Sequence, residues 1–189
     1  EMPYLKLSAA RALSPDGLCR AFDARANGLV LGEGAGAVLL KPLERAVRDG
    51  DRVLAVVEGT AMNNDGRTMG LTTPNPQAQR EVVEGALAAA GAAASSVGYV
   101  GAHGTGTLIG DPIEVQALSA VFDPANDGRG ACGIGSVKSN IGHLLRAAGM
   151  ASLHKVLLSL AHEQIPPTLH CEEPNPRFDF TGSALEPVT

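Results

Sequence analysis

Tryptophan is absent from the sequence, and aromatic residues make up only 3% of its 189 positions. A core with so few large rings must be filled by alanine, valine, leucine and isoleucine, which implies close packing of small side chains. At this length the chain can form one sizeable domain or two small ones.

Basic residues are also few, since 15 lysines and arginines face 20 aspartates and glutamates and give a formal net charge of −5. Such a balance offers no basic surface able to bind a phosphate backbone, so nucleic acid is not an expected partner. The longest apolar stretch, over 144–161, is interrupted by Arg146, Ser152, His154, Lys155 and Ser159. We therefore expect no membrane span, and no secretory signal pattern opens the chain.

Cysteine is scarce as well, with Cys19, Cys132 and Cys171 far apart in the chain. Their odd number and wide spacing argue against a disulfide framework and favour a reducing, cytoplasmic location. None stands at a sharp strand-to-helix turn, where a helix N-terminus would lower the pKa of a thiol. We therefore expect no catalytic nucleophile among them.

The hydrophobic pattern indicates strands alternating with helices. The expected strands cover 28–40, 52–60, 97–103 and 132–139, and the expected helices cover 42–49, 76–91, a segment that starts at Asp111, and 142–162. The last helix is apolar on most faces, which predicts that it is sandwiched between sheets. This order favours an α/β architecture with a mostly parallel sheet, whose ligands collect beyond the carboxyl ends of the strands.

Two histidines lie where such ligands would bind. His103 directly follows one expected strand in "AHGTGT", and His143 closes "VKSNIGH" after another. If the strand ends meet, two imidazoles and the Lys138 ammonium converge on a donor-rich pocket that would stabilise an oxyanion. Each histidine alone also fits a helix cap or a hydrogen-bonded core residue.

Other polar or glycine-rich motifs favour structural roles. Asp111 and Glu114 flank a proline in the pattern of a helix cap, which leaves little reason to read them with His103 as metal ligands. "GEGAG" at 32–36 lacks the lysine and hydroxyl that end a phosphate-binding loop. We expect tight backbone packing there.

The motifs "AHGTGT", "GDPIE", "VKSNIGH", "AAG" and "PPTLH", in this order and after "CRAFDARANGLVLGEGAG", resemble the C-terminal half of a β-ketoacyl synthase of the modular type I polyketide synthase kind. The resemblance implies an α/β, thiolase-like fold, a layered α/β/α sandwich that is usually dimeric. Residues 1–50 would end the N-terminal thiolase-like half, 51–165 would form the C-terminal half, and 166–189 would be a tail leading to a linker.

The resemblance also implies a reaction, the decarboxylative Claisen condensation of acyl thioesters. His103 and His143 match the catalytic histidines that promote decarboxylation of a malonyl-type extender and stabilise the resulting oxyanions, and Lys138 matches the lysine that organises the site. The matching substrate-binding residues are Thr105, Thr107 and Asn140, of which the threonines would bind a phosphopantetheine arm. The family's nucleophilic cysteine precedes the segment that resembles "CRAFD", so it is expected outside this chain.

The implied partners are an acyl carrier protein, the remaining N-terminal ketosynthase half, a neighbouring acyltransferase domain and a second copy of the chain. No cofactor is expected to bind directly, because substrates are carried on phosphopantetheine. Two departures from the family pattern are Gly101, where these synthases commonly have glutamate, and "GHLLRAAG" after the second histidine motif. The alternatives are an incomplete scaffold or dimerisation fragment, a malonyl-thioester decarboxylase and a thiolase relative.

Overall fold

A computed structural model describes residues 2–68, 70, 73–125 and 131–189 of the chain. Its helices are α1 (Met2–Ala9), α2 (Leu43–Asp49), α3 (Pro76–Ala90), α4 (Gly110–Phe122), α5 (Lys138–Ile141) and α6 (Ala148–His162). Its strands are β1 (Tyr99–Gly101), β2 (Cys132–Gly135) and β3 (Leu185–Pro187). Short 3-10 turns cover Ala94–Ser96, Asp123–Ala125, Leu145–Ala147 and Phe180–Gly182.

The three strands form one parallel sheet in the order β1-β2-β3. Gly101 pairs in register with Gly135, and Cys132 pairs with Leu185. The predicted parallel sheet is therefore confirmed for the strands after residue 96. The segment 166–189, expected as a tail, contributes the third strand of this sheet.

Helices cover both faces of the sheet because side chains alternate along each strand. On one face Cys132 and Ile134 are fully buried against α4, whose Val115 and Leu118 belong to the same core, and α3 packs on α4 from outside. On the other face β1 contacts α6. The α4 face contains most of the core cluster. Because full burial of one aliphatic side chain contributes about 1.5–3 kcal/mol, this face supplies most of the hydrophobic stabilisation of the sheet.

Helix α3 confirms the sequence prediction over 76–91. The Asn75 side chain accepts hydrogen bonds from the backbone N–H groups of Gln77 and Ala78, at 3.0 and 3.4 Å, and Pro76 occupies the first turn. Gly91 ends the helix in the left-handed region, at φ +63°. These signals are local, which is why the sequence alone locates both ends.

The predicted strands over 28–40 and 52–60 are not strands in the part of the chain that the structure describes. Among the described residues, the first segment forms only the isolated bridges Leu13↔Leu29 and Leu31↔His143. The second was expected to be buried, yet Val53, Val56 and Val57 are 42–61% exposed. A strand needs a continuous ladder with a partner, and among the described residues the first segment has only these isolated bridges and the second has none.

The predicted continuous helix over 142–162 is also wrong. Gly142 adopts φ +74° and Leu145 adopts φ +52°, and this breaks the chain into α5, a 3-10 turn and α6. Nor is α6 sandwiched between sheets, because Leu158 and Leu160 on its outer face are 58% and 57% exposed. Within the described ranges, no helix is both long and apolar enough to cross a lipid bilayer.

The glycines of "GEGAG" pack closely, as predicted. A Cβ atom at Gly32 would lie 2.0 Å from the Ile141 carbonyl oxygen, and one at Gly36 would lie 2.6 Å from the Met150 side chain. Any side chain there would force the segment away from α5 and α6.

Candidate active site

The sheet brings the two predicted histidines together. His103 lies two residues after β1, and His143 lies two residues after α5, which follows β2. Their rings are 5.2 Å apart between centroids and nearly perpendicular, at 86°. His103 has an exposed side and His143 is half-buried, so a ligand can approach both rings from solvent.

Glu114, one turn into α4, holds the loop that carries His103. Its two carboxylate oxygens accept hydrogen bonds from the backbone N–H groups of His103 and Gly104, at 2.6 and 2.8 Å. Burial raises the pKa of Glu114 to about 6, although these N–H groups and the nearby Lys138 favour its charged form.

Asp111 completes this support and is not the helix cap that the sequence predicted. Helix α4 begins at Gly110, and the Asp111 carboxylate, with its residue only 1% exposed, accepts from the backbone N–H groups of Thr105, Gly106, Thr107 and Phe22. The carboxylates of Asp111 and Glu114 thus bind the histidine loop rather than the helix end.

Gly104 lets the loop lie against β2. It has φ +39°, and a Cβ atom there would lie 2.7 Å from Ser136 Cβ and 2.8 Å from Phe22 Cζ. The Ser136 hydroxyl donates to the Gly104 carbonyl oxygen at 2.8 Å. Contacts with the end of β2 therefore help to fix the position of the loop that carries His103.

Lys138, at the start of α5, is the third predicted catalytic residue, and it is 2% exposed. Its Nζ donates to the His103 carbonyl oxygen at 2.5 Å. Burial lowers the pKa of Lys138, while Glu114, Cys19 and Asp111 oppose that change. The ammonium thus contacts the backbone of His103 and helps to order the loop.

The protein environment keeps His103 uncharged. Burial first, then the Lys138 ammonium and the His143 ring, lower the pKa of His103 to about 4. Burial and Lys138 likewise lower the pKa of His143. Both rings are therefore neutral at physiological pH.

The backbone also sets the tautomer of His143. The N–H of Leu145 donates to His143 Nδ1 at 3.0 Å, so the proton of the neutral ring is on Nε2. Leu145 itself adopts a positive φ of 52°. His143 consequently offers an N–H donor from Nε2.

The segment over 19–32 lies between the two histidine loops and bonds to both. The N–H of Gly28 donates to the Gly106 carbonyl oxygen at 2.9 Å, and the N–H of His143 donates to the Val30 carbonyl oxygen at 2.7 Å. The N–H of Gly32 donates in turn to the His143 carbonyl oxygen at 3.1 Å. The histidine pair is therefore ordered by three stretches of chain.

Thr105 and Thr107, predicted to bind substrate, form a hydroxyl pair with oxygens 3.1 Å apart. Thr105 is buried and Thr107 is half-buried. They belong to the same loop as His103, two and four residues after it.

Asn140, the remaining predicted substrate residue, lies elsewhere. It is exposed on α5, where its side-chain oxygen accepts from the Ser139 hydroxyl at 3.2 Å, and no hydrogen bond joins it to either histidine within the described chain. It lines a cleft of about 940 Å³ formed by α5, α6, residues 33–36 and residues 164–167. Neither His103 nor His143 lines this cleft.

The three cysteines are free and buried, and burial raises the pKa of each to about 11. Cys19 is near the loop, but its Sγ donates to the Thr105 carbonyl oxygen at 3.5 Å. A protonated, buried thiol is a poor nucleophile. None of the three fits the role of attacking group.

Sequence reasoning missed the residues that hold the loop in place: Phe22, Asp111, Glu114, Ser136 and Leu145. For Asp111 and Glu114 the local pattern was ambiguous, because two carboxylates three positions apart after a glycine-rich loop fit a helix cap as well as bonds to that loop. Ser136 acts on the loop across 32 residues, which no local pattern encodes. Leu145 bonds the ring only two residues away, but in a positive-φ conformation that a leucine rarely adopts.

Two family models match the chain. The model of the β-ketoacyl synthase C-terminal domain matches residues 54–172, and that of the β-ketoacyl synthase N-terminal domain matches residues 1–46. A phenolphthiocerol/phthiocerol polyketide synthase protein of Mycobacterium tuberculosis is 53% identical over 95% of the chain, and the polyketide synthase PksL of Bacillus subtilis is 47% identical over 97%. The chain spans 11% and 4% of these relatives.

Solved ketosynthases share its structure. The ketosynthase from module 6 of the bacillaene synthase of Bacillus subtilis 168 has a TM-score of 0.96 at 46% identity, over all of the chain and 34% of that structure. The oxazolomycin ketosynthase domain OzmH KS7 of Streptomyces albus JA3453 has a TM-score of 0.94 at 46% identity, over 99% of the chain and 32% of that structure. The fold is therefore the thiolase-like α/β fold of these domains.

Proposed function

Because the chain belongs to the β-ketoacyl synthase family, we propose that it supplies the histidine pair of a ketosynthase that extends acyl chains in a modular polyketide synthase. The reaction is a decarboxylative Claisen condensation of an acyl thioester with a malonyl-type extender on an acyl carrier protein. The observation that carries the proposal is the pair of neutral imidazoles, 5.2 Å apart at the ends of two parallel strands.

The rings act as hydrogen-bond donors to developing oxyanions. When the carbon–carbon bond to the extender's carboxylate breaks, the electron pair of that bond moves toward the thioester carbonyl. Carbon dioxide departs, and the extender becomes an enolate. The Nε2–H of His143 and an N–H of His103 stabilise that enolate oxygen. The enolate carbon then attacks the acyl thioester, a carbon–carbon bond forms, and the thiolate leaves. Donors held in place by the backbone need no reorganisation as charge develops.

Lys138 acts on this chemistry through His103. Its hydrogen bond to the His103 carbonyl oxygen fixes the ring position, and its positive charge disfavours a second positive charge on the ring. Burial and the Lys138 charge together therefore keep the ring neutral, so that it donates an N–H without carrying a charge of its own.

The paired hydroxyls of Thr105 and Thr107 bind the amide groups of the phosphopantetheine arm, and Asn140 contacts the substrate farther along. Hydroxyls suit this ligand because each both donates and accepts. No cofactor is bound directly in this proposal. The partner that presents the arm is an acyl carrier protein.

The nucleophile comes from outside these 189 residues, on the remaining N-terminal ketosynthase half. Three observations support this assignment: the buried thiols with raised pKa, the exposed apolar segments over 28–40 and 52–60, and the cleft along α6. The chain alone would then form no acyl-enzyme. We also propose that the chain associates with a second copy of itself and with a neighbouring acyltransferase domain. The proposed location is the cytoplasm.

The test uses the full-length protein that contains this chain, with malonyl-acyl carrier protein labelled in its free carboxylate. Labelled carbon dioxide and extended product are counted separately. We expect His103→Ala and His143→Ala each to lower both by about 10²- to 10³-fold, the cost of one oxyanion donor. His170→Ala is the matched control, because this imidazole belongs neither to the histidine pair nor to the lining of the cleft along α6.

Each other result has a definite meaning. Normal condensation in both histidine variants would contradict the assigned roles. Carbon dioxide without extended product from the unaltered protein would replace the proposal with a malonyl-thioester decarboxylase. If the unaltered protein forms neither carbon dioxide nor extended product, the chain is part of a scaffold. Thr107→Val should raise KM for the carrier protein while kcat is retained, if the hydroxyls bind the arm.

A further inference from the structure

Lys155, in the middle of α6, is a buried cation without a hydrogen-bond acceptor among the described residues. The residue is 7% exposed, and its Nζ lies 5.8 Å from the centre of the Tyr99 ring. The buried Tyr99 hydroxyl likewise has no hydrogen-bond partner in the described ranges. Burial lowers the pKa of Lys155, as expected for an ammonium removed from water without a counter-ion.

Three polar groups converge on one point of the sheet next to this lysine. A Cβ atom built at Gly135 would lie 2.7 Å from Tyr99 Oη, 2.9 Å from Thr168 Oγ1 and 3.4 Å from Lys155 Nζ. The cluster therefore occupies the α6 face of β2, which is the face opposite the main core. Three groups able to donate, one of them charged, surround a small volume there.

The cluster is joined to the end of β2 that supports the histidine loop. Thr168 Oγ1 accepts from the backbone N–H of Ser136 at 3.3 Å, and the Ser136 hydroxyl donates to the Gly104 carbonyl oxygen at 2.8 Å. A change in the cluster is thus two hydrogen bonds away from the loop that carries His103.

Position 101 faces the same volume. Gly101 pairs in register with Gly135, and a Cβ atom at Gly101 would lie 3.5 Å from the Val156 side chain and 3.8 Å from the Tyr99 ring. Both are ordinary van der Waals distances, so a Cβ atom fits there without strain. Neighbouring strands are about 4.8 Å apart, so a glutamate side chain at 101 extends over Gly135 to the lysine.

We propose that Tyr99, Lys155 and Thr168 form a carboxylate-binding site behind the histidine loop, and that residue 101 decides whether the chain itself fills it. With glycine at this position Lys155 has no counter-ion within the described chain, and a glutamate supplies one. The site concerns the rigidity of the sheet and does not rest on the proposed reaction.

The test measures hydrogen exchange of β1, β2 and α6 in the full-length protein by mass spectrometry. We expect Gly101→Glu to slow exchange by about 5-fold or more relative to Gly101→Gln, which has the same size without the charge. Gly98→Glu is the matched control, because a side chain at Gly98 meets nothing within 4 Å. It should leave exchange in the sheet unchanged.

A second variant, Lys155→Met, should change hydrogen exchange in opposite directions in the two backgrounds. Lys155→Met removes an unpaired charge from the unaltered protein, so exchange should slow, whereas in the Gly101→Glu background it breaks an ion pair, so exchange should quicken. The proposal is overturned if Lys155→Met quickens exchange in the unaltered protein, since another segment then supplies the acid. It is equally overturned if Gly101→Glu and Gly101→Gln behave alike.

Discussion

Replacing Asp111 with asparagine keeps the shape of a buried side chain and removes one of its two acceptor oxygens. At present Oδ2 accepts from Phe22 N at 2.9 Å, Oδ1 accepts from Thr105 N at 3.1 Å and Thr107 N at 3.3 Å, and Gly106 N lies 3.2 Å from both oxygens. In the better orientation the asparagine oxygen replaces Oδ1, and the N–H of Phe22 then faces an NH₂ group.

One buried N–H left without an acceptor costs about 1–3 kcal/mol, which is roughly a 5- to 150-fold change in the equilibrium for local opening. The other orientation removes two acceptor contacts and costs more. Hydrogen exchange of peptides over 102–109 in the full-length protein should therefore quicken by about 5- to 150-fold in Asp111→Asn.

Asp49→Asn is the control, because this exposed carboxylate pairs with Lys41 on the surface and such pairs contribute about 0–1 kcal/mol. Equal exchange of the 102–109 peptides in Asp111→Asn and in the unaltered protein would refute the view that this carboxylate holds the histidine loop.

The remaining predictions concern the same loop. Gly104→Ala should lower the free energy of unfolding by about 1–3 kcal/mol in urea titrations, because its methyl group meets Ser136 and Phe22, whereas Gly149→Ala, which meets nothing within 4 Å, should not lower it. Lys138→Gln should raise the titration midpoint of His103 above about 4 by NMR, and Lys6→Gln, on α1, should leave it unchanged. Because the folded-state pKa of Glu114, about 6, exceeds its ordinary 4.5, its contribution to stability is full below pH 4.5 and is lost as pH rises through 6. Between pH 4.5 and pH 7 the free energy of unfolding of the unaltered protein should therefore fall by about 2 kcal/mol more than that of Glu114→Gln. The same pH dependence in both proteins would contradict this prediction.

The features that the sequence predicted depend on local or general rules. The cap residues of α3 are neighbours of the helix ends they bond, and the carboxyl ends of parallel strands meet at one edge of a sheet, which placed His103 beside His143. Both rules apply without knowledge of the rest of the structure.

The features that it did not predict depend on distant partners. An aspartate before a proline has the same local pattern whether it caps a helix or bonds a loop, so the partners of Asp111 were not visible. Residues 28–40 and 52–60 have the composition of strands, but a ladder forms only beside another strand. The break before α6 arises because residues 31–32 pack against Gly142, a contact across more than 100 residues.

The interleaving of residues 19–32 with both histidine loops bears on how hybrid synthases should be assembled. A recombination junction placed near residue 50, between the two family models, would combine a 19–32 segment from one parent with histidine loops from another. The bonds from Gly28 and Val30 join backbone atoms, but the packing of Phe22 against Gly104 depends on side chains. Junctions upstream of Cys19 take Phe22 and Gly104 from one parent, so chimeras made there should retain more turnover than those divided at residue 50.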